Sequence, residues 1–191
     1  FKEQQYMCGI FGEIRFDDTC VDLSKMHYMM DSLSKRGPDH GDEYQDDNIY
    51  LGHRRLSVID ISDKSNQPMI DKKTGNIIVF NGVIYNFKEL RKLLIKKGYN
   101  FSSEGDTEVI LKSYDYYGQE CLKFFDGVFS FCILDSEKKE FFLARDRLGI
   151  KPLYYKINNK YFSFSSKTKA LINRNDNEIN HKSLHYQFTL H

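Results

Sequence analysis

The stretch Met7-Cys8-Gly9-Ile10-Phe11-Gly12 sets a cysteine before a short apolar run and two glycines, a thiol at the edge of a buried strand. The thiolate is the nucleophilic form and a free cysteine has a pKa of about 8.5, so some base must take its proton. No histidine lies close in sequence. If the chain were processed to begin at Cys8, its own α-amine, with a pKa of about 7.7–8.0, would serve directly or through a water. Taken alone, Cys8 reads more readily as a buried cysteine packing as a small hydrophobe. Arg55 stands among Leu56, Val58 and Ile59, where a guanidinium wants a carboxylate in bidentate geometry, from a ligand or from an acid of this chain. Asp106, at an expected helix start, accepts hydrogen bonds from an ammonium or acts as a plain N-cap. Asn81-Gly82 follows a buried run. A side-chain amide beside a backbone N–H makes an oxyanion hole, and glycine permits the close approach, although taken alone the dipeptide reads more readily as an ordinary turn. Thiol, carboxylate clamp, ammonium acceptor and oxyanion hole together describe a site for an α-amino acid with an attackable side-chain carbonyl.

The elements that must position these groups follow from the pattern. Gly9 to Phe16 reads as a buried strand. Leu23, Met26, Met30 and Leu33 recur at helical spacing behind Asp22, a capping residue, and the Met-rich stripe is core packing. Arg36-Gly37-Pro38-Asp39-His40-Gly41 ends that helix, and the chain to Asp47 reads as a polar loop. Two extended segments follow, Asn48 to Gly52 and Arg54 to Asp60. The run Asn76 to Phe80, apolar on both faces, delivers Asn81-Gly82 at its end. Asn86 opens a helix closed by Gly98, with Leu90, Leu93 and Leu94 inside, and Asp106 or Thr107 caps another carrying Val109, Ile110, Leu111 and Tyr114. Val128 to Leu134 with Phe141 to Ala144 forms one hairpin, and Leu153 to Ile157 with Tyr161 to Phe164 another. Tyr154, Tyr155, Tyr161, Phe162 and Phe164 read as core. Helices fall mainly between two groups of strands, which favours two stacked sheets with flanking helices over an alternating parallel sheet.

Bulk properties exclude several classes. The 191 residues suit one domain, and 40% hydrophobic with 15% aromatic content is not that of a disordered chain. With 28 basic and 27 acidic residues well mixed, the chain lacks a nucleic-acid footprint. The longest apolar runs are too short to cross a membrane. Cysteines at 8, 20, 121 and 132 form neither a Cys-x-x-Cys pair nor a paired framework. They read as reduced thiols of a cytoplasmic protein, and close metal-ligand pairs are absent, so no metal is expected.

With Arg36-Gly37-Pro38-Asp39, Gly52-His53-Arg54-Arg55-Leu56-Ser57, Asn81-Gly82-Val83-Ile84-Tyr85-Asn86, Gly105-Asp106-Thr107-Glu108 and Ala144-Arg145-Asp146-Arg147-Leu148-Gly149-Ile150-Lys151-Pro152-Leu153, the chain resembles the class II glutamine amidotransferase domain, most closely that of asparagine synthetases. The resemblance runs from Cys8 to about Ile172. It implies an α+β fold, the N-terminal-nucleophile hydrolase architecture: a four-layer αββα sandwich of two antiparallel sheets. It implies hydrolysis of L-glutamine to glutamate and ammonia, with Cys8 attacking the carboxamide and its α-amine shuttling the proton. Asn81 and Gly82 would hold the oxyanion, Arg55 the substrate carboxylate and Asp106 its ammonium, with backbone groups of Leu56 and Val58 completing the cradle. No cofactor is needed for this half-reaction. ATP and Mg belong to a synthetase domain expected elsewhere in the same full-length chain, which takes the ammonia. A homodimer is left open.

Three departures matter. Val83 stands where synthetases of this type usually carry a glutamate that helps hold the ammonium, so weaker or differently tuned glutamine binding is expected. The nucleotide-binding Ser-Gly-Gly-x-Asp-Ser loop of the synthetase half does not occur in the sequence. Residues 173–191 then read as the start of a linker to that half, after a catalytic domain spanning 8–172. Residues 1–7 precede the nucleophile as a cloning remnant or short propeptide, and while attached they turn the base into an amide, so the uncut chain is expected to be inactive or badly impaired. Two other readings compete: a non-catalytic module sensing glutamine or serving assembly, favoured only by Val83, and a hydrolase of another amide, disfavoured by the paired carboxylate and ammonium anchors. In the region Arg145 to Leu153, a turn in which Arg145 and Asp146 pair competes with a role facing the partner domain.

Overall fold

A computed structural model describes residues 7–17, 19–56 and 63–172. The strands are β1 (Gly9–Arg15), β2 (His40–Asp46), β3 (Ile49–Arg55), β4 (Met69–Ile70), β5 (Ile77–Ile84), β6 (Gly127–Asp135), β7 (Glu140–Arg145), β8 (Tyr154–Ile157) and β9 (Tyr161–Ser165). The helices are α1 (Leu23–Ser32), α2 (Phe87–Lys96), α3 (Asp106–Tyr117) and α4 (Thr168–Leu171). One sheet runs β2-β3-β1-β9-β8 and the other β4-β5-β6-β7, every pairing antiparallel.

Alternation along the strands sorts the side chains into layers. Ile10, Ile49, Leu51, Ile77, Val79, Cys132, Leu134 and Phe164 meet between the two sheets. Phe11 and Tyr50 face the other way, under α1 and α4, with Met26, Met29 and Leu33. Ile78, Phe80, Phe131 and Ile133 pack beneath α2 and α3, against Leu90, Leu94, Ile110 and Tyr114. The result is the expected α+β sandwich of four layers, helix–sheet–sheet–helix.

Local chemistry explains the element ends. Asp22 caps α1 by accepting from the Ser24 and Lys25 N–H groups at 3.0 and 3.2 Å, a contact of about 1 kcal/mol. The α1 stripe is buried at Met26, Met29 and Leu33, while Leu23 is exposed. Leu90 and Leu94 are the buried leucines of α2, and Leu93 faces solvent. Gly98 closes α2 at φ +91°, a conformation glycine adopts without a Cβ penalty.

Several expectations are corrected. The polar stretch before Asp47 is not a loop: His40–Asp46 is β2, an edge strand zipped to β3 from His40↔Arg55 to Asp46↔Ile49. Its sequence shows no apolar alternation because its side chains are mostly exposed and the backbone ladder holds it. The two segments around Gly52 are a single strand ending at Arg55, and 57–62 lie outside the described residues. β5 does not stop before Asn81-Gly82 but runs on to Ile84, pairing Asn81 with Ser130 and Gly82 with Phe129, so the dipeptide is not a turn. Asn86 stands at the N-cap of α2 as expected, with its side chain accepting from Asp126 N and donating to Phe124 O rather than bonding to the first turn. Gly105, not Asp106 or Thr107, occupies the N-cap of α3. Among the five aromatics taken as core, Phe164 is buried, but Tyr154 and Tyr155 are 41% and 67% exposed because β8 is the sheet edge.

Candidate functional site

The same alternation that buries Ile10, Leu51 and Val79 between the sheets carries Cys8, Arg55 and Asn81 to that gap, two residues or more further along their strands. β1 begins and β3 ends at the same edge, since Gly9 pairs with Arg54. Asn81 and Gly82 come to this edge from the facing sheet. There the gap opens into a cavity of about 370 Å³, lined by Cys8, Arg55, Leu56, Asn81, Gly82 and Asp106. Six of the seven residues singled out from sequence therefore converge. The seventh, Val58, lies outside the described residues.

Cys8 Sγ lies 3.4 Å from Leu56 N and 3.5 Å from Leu56 O, so the end of β3 holds the thiol in place. Burial pushes the thiol pKa up, while the Leu56 backbone and the positive charges of Arg55, Lys151 and Arg36 pull it down. The Cys8 nitrogen is bound in a peptide to Met7, whose N–H donates to Arg36 O at 3.0 Å. Arg36 Nε donates in turn to Cys8 O at 3.3 Å.

Arg55 is buried and donates to the Asn66 side-chain oxygen. Asn81 is 1% exposed, and its Nδ2 has no hydrogen-bond partner among the described residues. A buried donor left unpaired costs about 1–3 kcal/mol, so an amide aimed into a cleft beside a thiol calls for an acceptor there. Gly82 is demanded by packing: a Cβ would lie 2.3 Å from Val128 O.

Asp106 opens α3 but its carboxylate reaches across to β5, accepting from Ile84 N at 2.9 Å. Burial raises its pKa, opposed by the backbone N–H groups of Ile84, Asp106 and Thr107. Glu108 keeps the helix start in place. Its carboxylate accepts from Ser102 N at 3.0 Å and from Ser103 N and Oγ at 2.7 Å.

Sequence reasoning missed four lining residues that matter: Gln67, Thr107, Ser65 and Lys151. Gln67 accepts from Phe80 N at 2.6 Å and donates to Thr107 Oγ1 at 3.2 Å, tying β5 to α3. It lies in a polar connection with no periodicity, so nothing in its spacing marked it. His53 is not in the cleft lining. It is fully buried behind it, Nε2 lying 3.2 Å from Phe80 O, and burial lowers its pKa to about 3, so it bridges the sheets as a neutral ring. In the loop after β7, Arg145 and Asp146 do not form a turn by pairing with each other. Asp146 accepts from Ile150 N and Lys151 N at 2.8 and 2.9 Å, and Arg145 donates to Lys151 O at 2.6 Å. That loop swings Lys151 into the cleft. Val83 is also on the lining, and its side chain offers no acceptor. Among the described residues no group of three His, Cys, Asp or Glu is placed to hold a metal ion, and no helix is long and apolar enough to cross a membrane.

Comparison with known proteins points the same way. A family model described as "Glutamine amidotransferase domain" matches residues 7–191. The chain is 39% identical over 169 residues to "Asparagine synthetase [glutamine-hydrolyzing] 3" of Bacillus subtilis, covering 87% of this chain and 27% of that protein. It is 38% identical over 149 residues to "Asparagine synthetase B [glutamine-hydrolyzing]" of Escherichia coli, covering 78% and 26%. The chain thus spans roughly a quarter of the length of these relatives. In structure it is similar to the glutamine phosphoribosylpyrophosphate amidotransferase of B. subtilis, with a TM-score of 0.71 at 20% identity over 86% of this chain and 43% of the other. At that identity the likeness speaks for the fold.

Proposed function

The chain belongs to the glutamine amidotransferase domain family, and from that premise we propose what its cleft does. It hydrolyses L-glutamine to glutamate and ammonia through a thioester on Cys8, and the ammonia passes to an ATP-dependent synthetase domain of the asparagine synthetase type in the full-length protein. The observation that carries this reading is the unpartnered, buried Asn81 amide facing the same cavity as the Cys8 thiol, with a guanidinium and a carboxylate beside them.

In this reading the Arg55 guanidinium takes the substrate α-carboxylate and Asp106 the α-ammonium, which fixes the side-chain amide at the thiol. Cleavage of the Met7–Cys8 bond supplies an α-amine on the nucleophile. Sγ forms a bond to the carboxamide carbon, the thiol proton moves to that amine, and the carbonyl electron pair shifts to oxygen, where Asn81 Nδ2 and the Gly82 N–H receive it. The C–N bond then breaks, the amine returning its proton to the departing ammonia. Water attacks the thioester and regenerates the thiol. Leu56 and Val58 complete the cradle through their backbone, and the half-reaction uses no cofactor. ATP and Mg serve only the synthetase half, and the reaction sits in the cytoplasm. With Val83 unable to hold the ammonium, Asp106 carries that contact alone among the side chains proposed here.

The test is glutamate release from glutamine by the chain cut after Met7, beside Cys8→Ala and Asp106→Ala. The reading expects release that vanishes in Cys8→Ala and a KM raised at least tenfold in Asp106→Ala. Binding of glutamine without turnover in the cut chain would favour a glutamine-sensing module, and release unaffected by Asp106→Ala would favour a hydrolase of another amide.

A further inference from the structure

We propose that Lys151 is a positioning residue that, beside Arg55 and Arg36, helps set the protonation state of Cys8, its ammonium favouring the forms of that residue from which a proton has already left. The inference rests on the proposed thiol–amine chemistry at Cys8.

The placement is built rather than incidental. Lys151 is held by its backbone on both sides, its N–H donating to Asp146 Oδ2 at 2.9 Å and its carbonyl accepting from Arg145 Nε at 2.6 Å. Asp146 is itself 7% exposed, with its N–H donating to Phe129 O at 2.7 Å, so the loop is anchored to β6 beside Gly82, the partner of Phe129 across the ladder. The side chain then enters the cleft, and its Nζ lies 3.1 Å from Sδ of Met7, the residue bonded to the Cys8 nitrogen. A long flexible cation is mostly found in water, and here its head group turns into the cleft against the residue that precedes the nucleophile.

The charged groups facing Cys8 are Arg55 from β3, Arg36 after α1, Lys151 from the β7–β8 loop and Asp106 from α3. Those facing Lys151 are Cys8, Arg36 and Asp146. Burial lowers the Lys151 ammonium while Cys8 raises it, and the same coupling pulls the thiol down. Arg36 donates to Cys8 O and Arg55 to Asn66, and in the proposed reaction the Arg55 charge is shared with the substrate carboxylate. Lys151 is the cation of this set whose head group is not tied to a backbone carbonyl or an amide oxygen by a described bond. A nearby positive charge lowers the pKa of a thiol and of an α-amine alike. The acid limb of activity therefore moves in one direction, whichever of the two loses its proton.

The experiment follows alkylation in the uncut chain as well as in the chain cut after Met7, and turnover in the cut chain, each as wild type, Lys151→Met and Lys151→Arg. Alkylation of Cys8 by iodoacetamide is followed against pH by peptide mass spectrometry, which separates it from the exposed Cys20, and kcat/KM for glutamine is measured across the same range. Lys151→Met is expected to move both half-points upward by about half a unit to one unit, so rates on the acid side fall about three- to tenfold, and Lys151→Arg restores the wild-type profile. Should Lys151→Met not fold, Lys151→Gln carries the same expectation. Superposable profiles in a folded neutral variant would overturn the proposal while leaving the glutaminase reading intact. Shifted alkylation with no glutamate release from any form would sustain Lys151 and sink the glutaminase.

Discussion

At the scale of single residues, the most informative atom is Asn81 Nδ2, a buried donor with no partner among the described residues. If it serves the developing oxyanion, Asn81→Ala should lower kcat for glutamine about 10²- to 10³-fold with a much smaller change in KM, the signature of an interaction made in the transition state. A steady-state comparison of the cut chain with and without the substitution checks it; an unchanged kcat would remove Asn81 from the chemistry. Val83 makes the complementary case. A carboxylate there would face the same cavity as Asp106, so Val83→Glu is expected to lower the KM for glutamine about fivefold or more, with kcat nearly unchanged. A KM that stays level or rises would mean the ammonium does not reach that wall.

At the scale of elements, the parity of the strands does the positioning. Ile77, Val79 and Asn81 share one face of β5, and Ile49, Leu51, His53 and Arg55 one face of β3, so the chain that fills the gap between the sheets also delivers the polar groups at its mouth. This much was legible: the buried strands, the two helices between β5 and β6 and both hairpins from apolar runs, and the six described cleft residues from their combination, since each alone also had a structural reading. What was not legible depends on partners distant in sequence. β2 is written in polar residues because an edge strand is held by its backbone. Asp106 looked like a cap, yet it spends its carboxylate on Ile84, twenty-two positions away, and Glu108 stabilises the helix start instead. Glu108→Ala would leave the Ser102 and Ser103 N–H groups without their acceptor. Its expected cost is about 2 kcal/mol in denaturant unfolding, together with a raised KM through the loosened Asp106. Loss of stability without a KM effect would separate the cap from the site.

At the scale of the molecule, the cleft exists because two sheets and an outer helix layer are held in fixed relation, and His53 is one of the pins. Buried and neutral, it bonds from β3 to Phe80 of the facing sheet, with a folded pKa of about 3. Unfolding returns it to an ordinary value near 6.5, so the unfolded chain binds the extra proton and stability falls as pH drops from about 6.5 toward 3. Between pH 7 and 5 this single group should cost about 2 kcal/mol, measured as the stability lost by wild type beyond that lost by His53→Gln, which keeps a donor for Phe80 O. Equal losses in the two proteins would show that the ring is protonated in place. The account as a whole turns on one covalent bond. Acid-quenching the cut chain within milliseconds of mixing with glutamine, followed by peptide mass spectrometry, should find a γ-glutamyl group on the Cys8 sulfur, absent from the uncut chain and from Cys8→Ala. Glutamate released at full rate with no acyl group on Cys8, or released by Cys8→Ala, would contradict it.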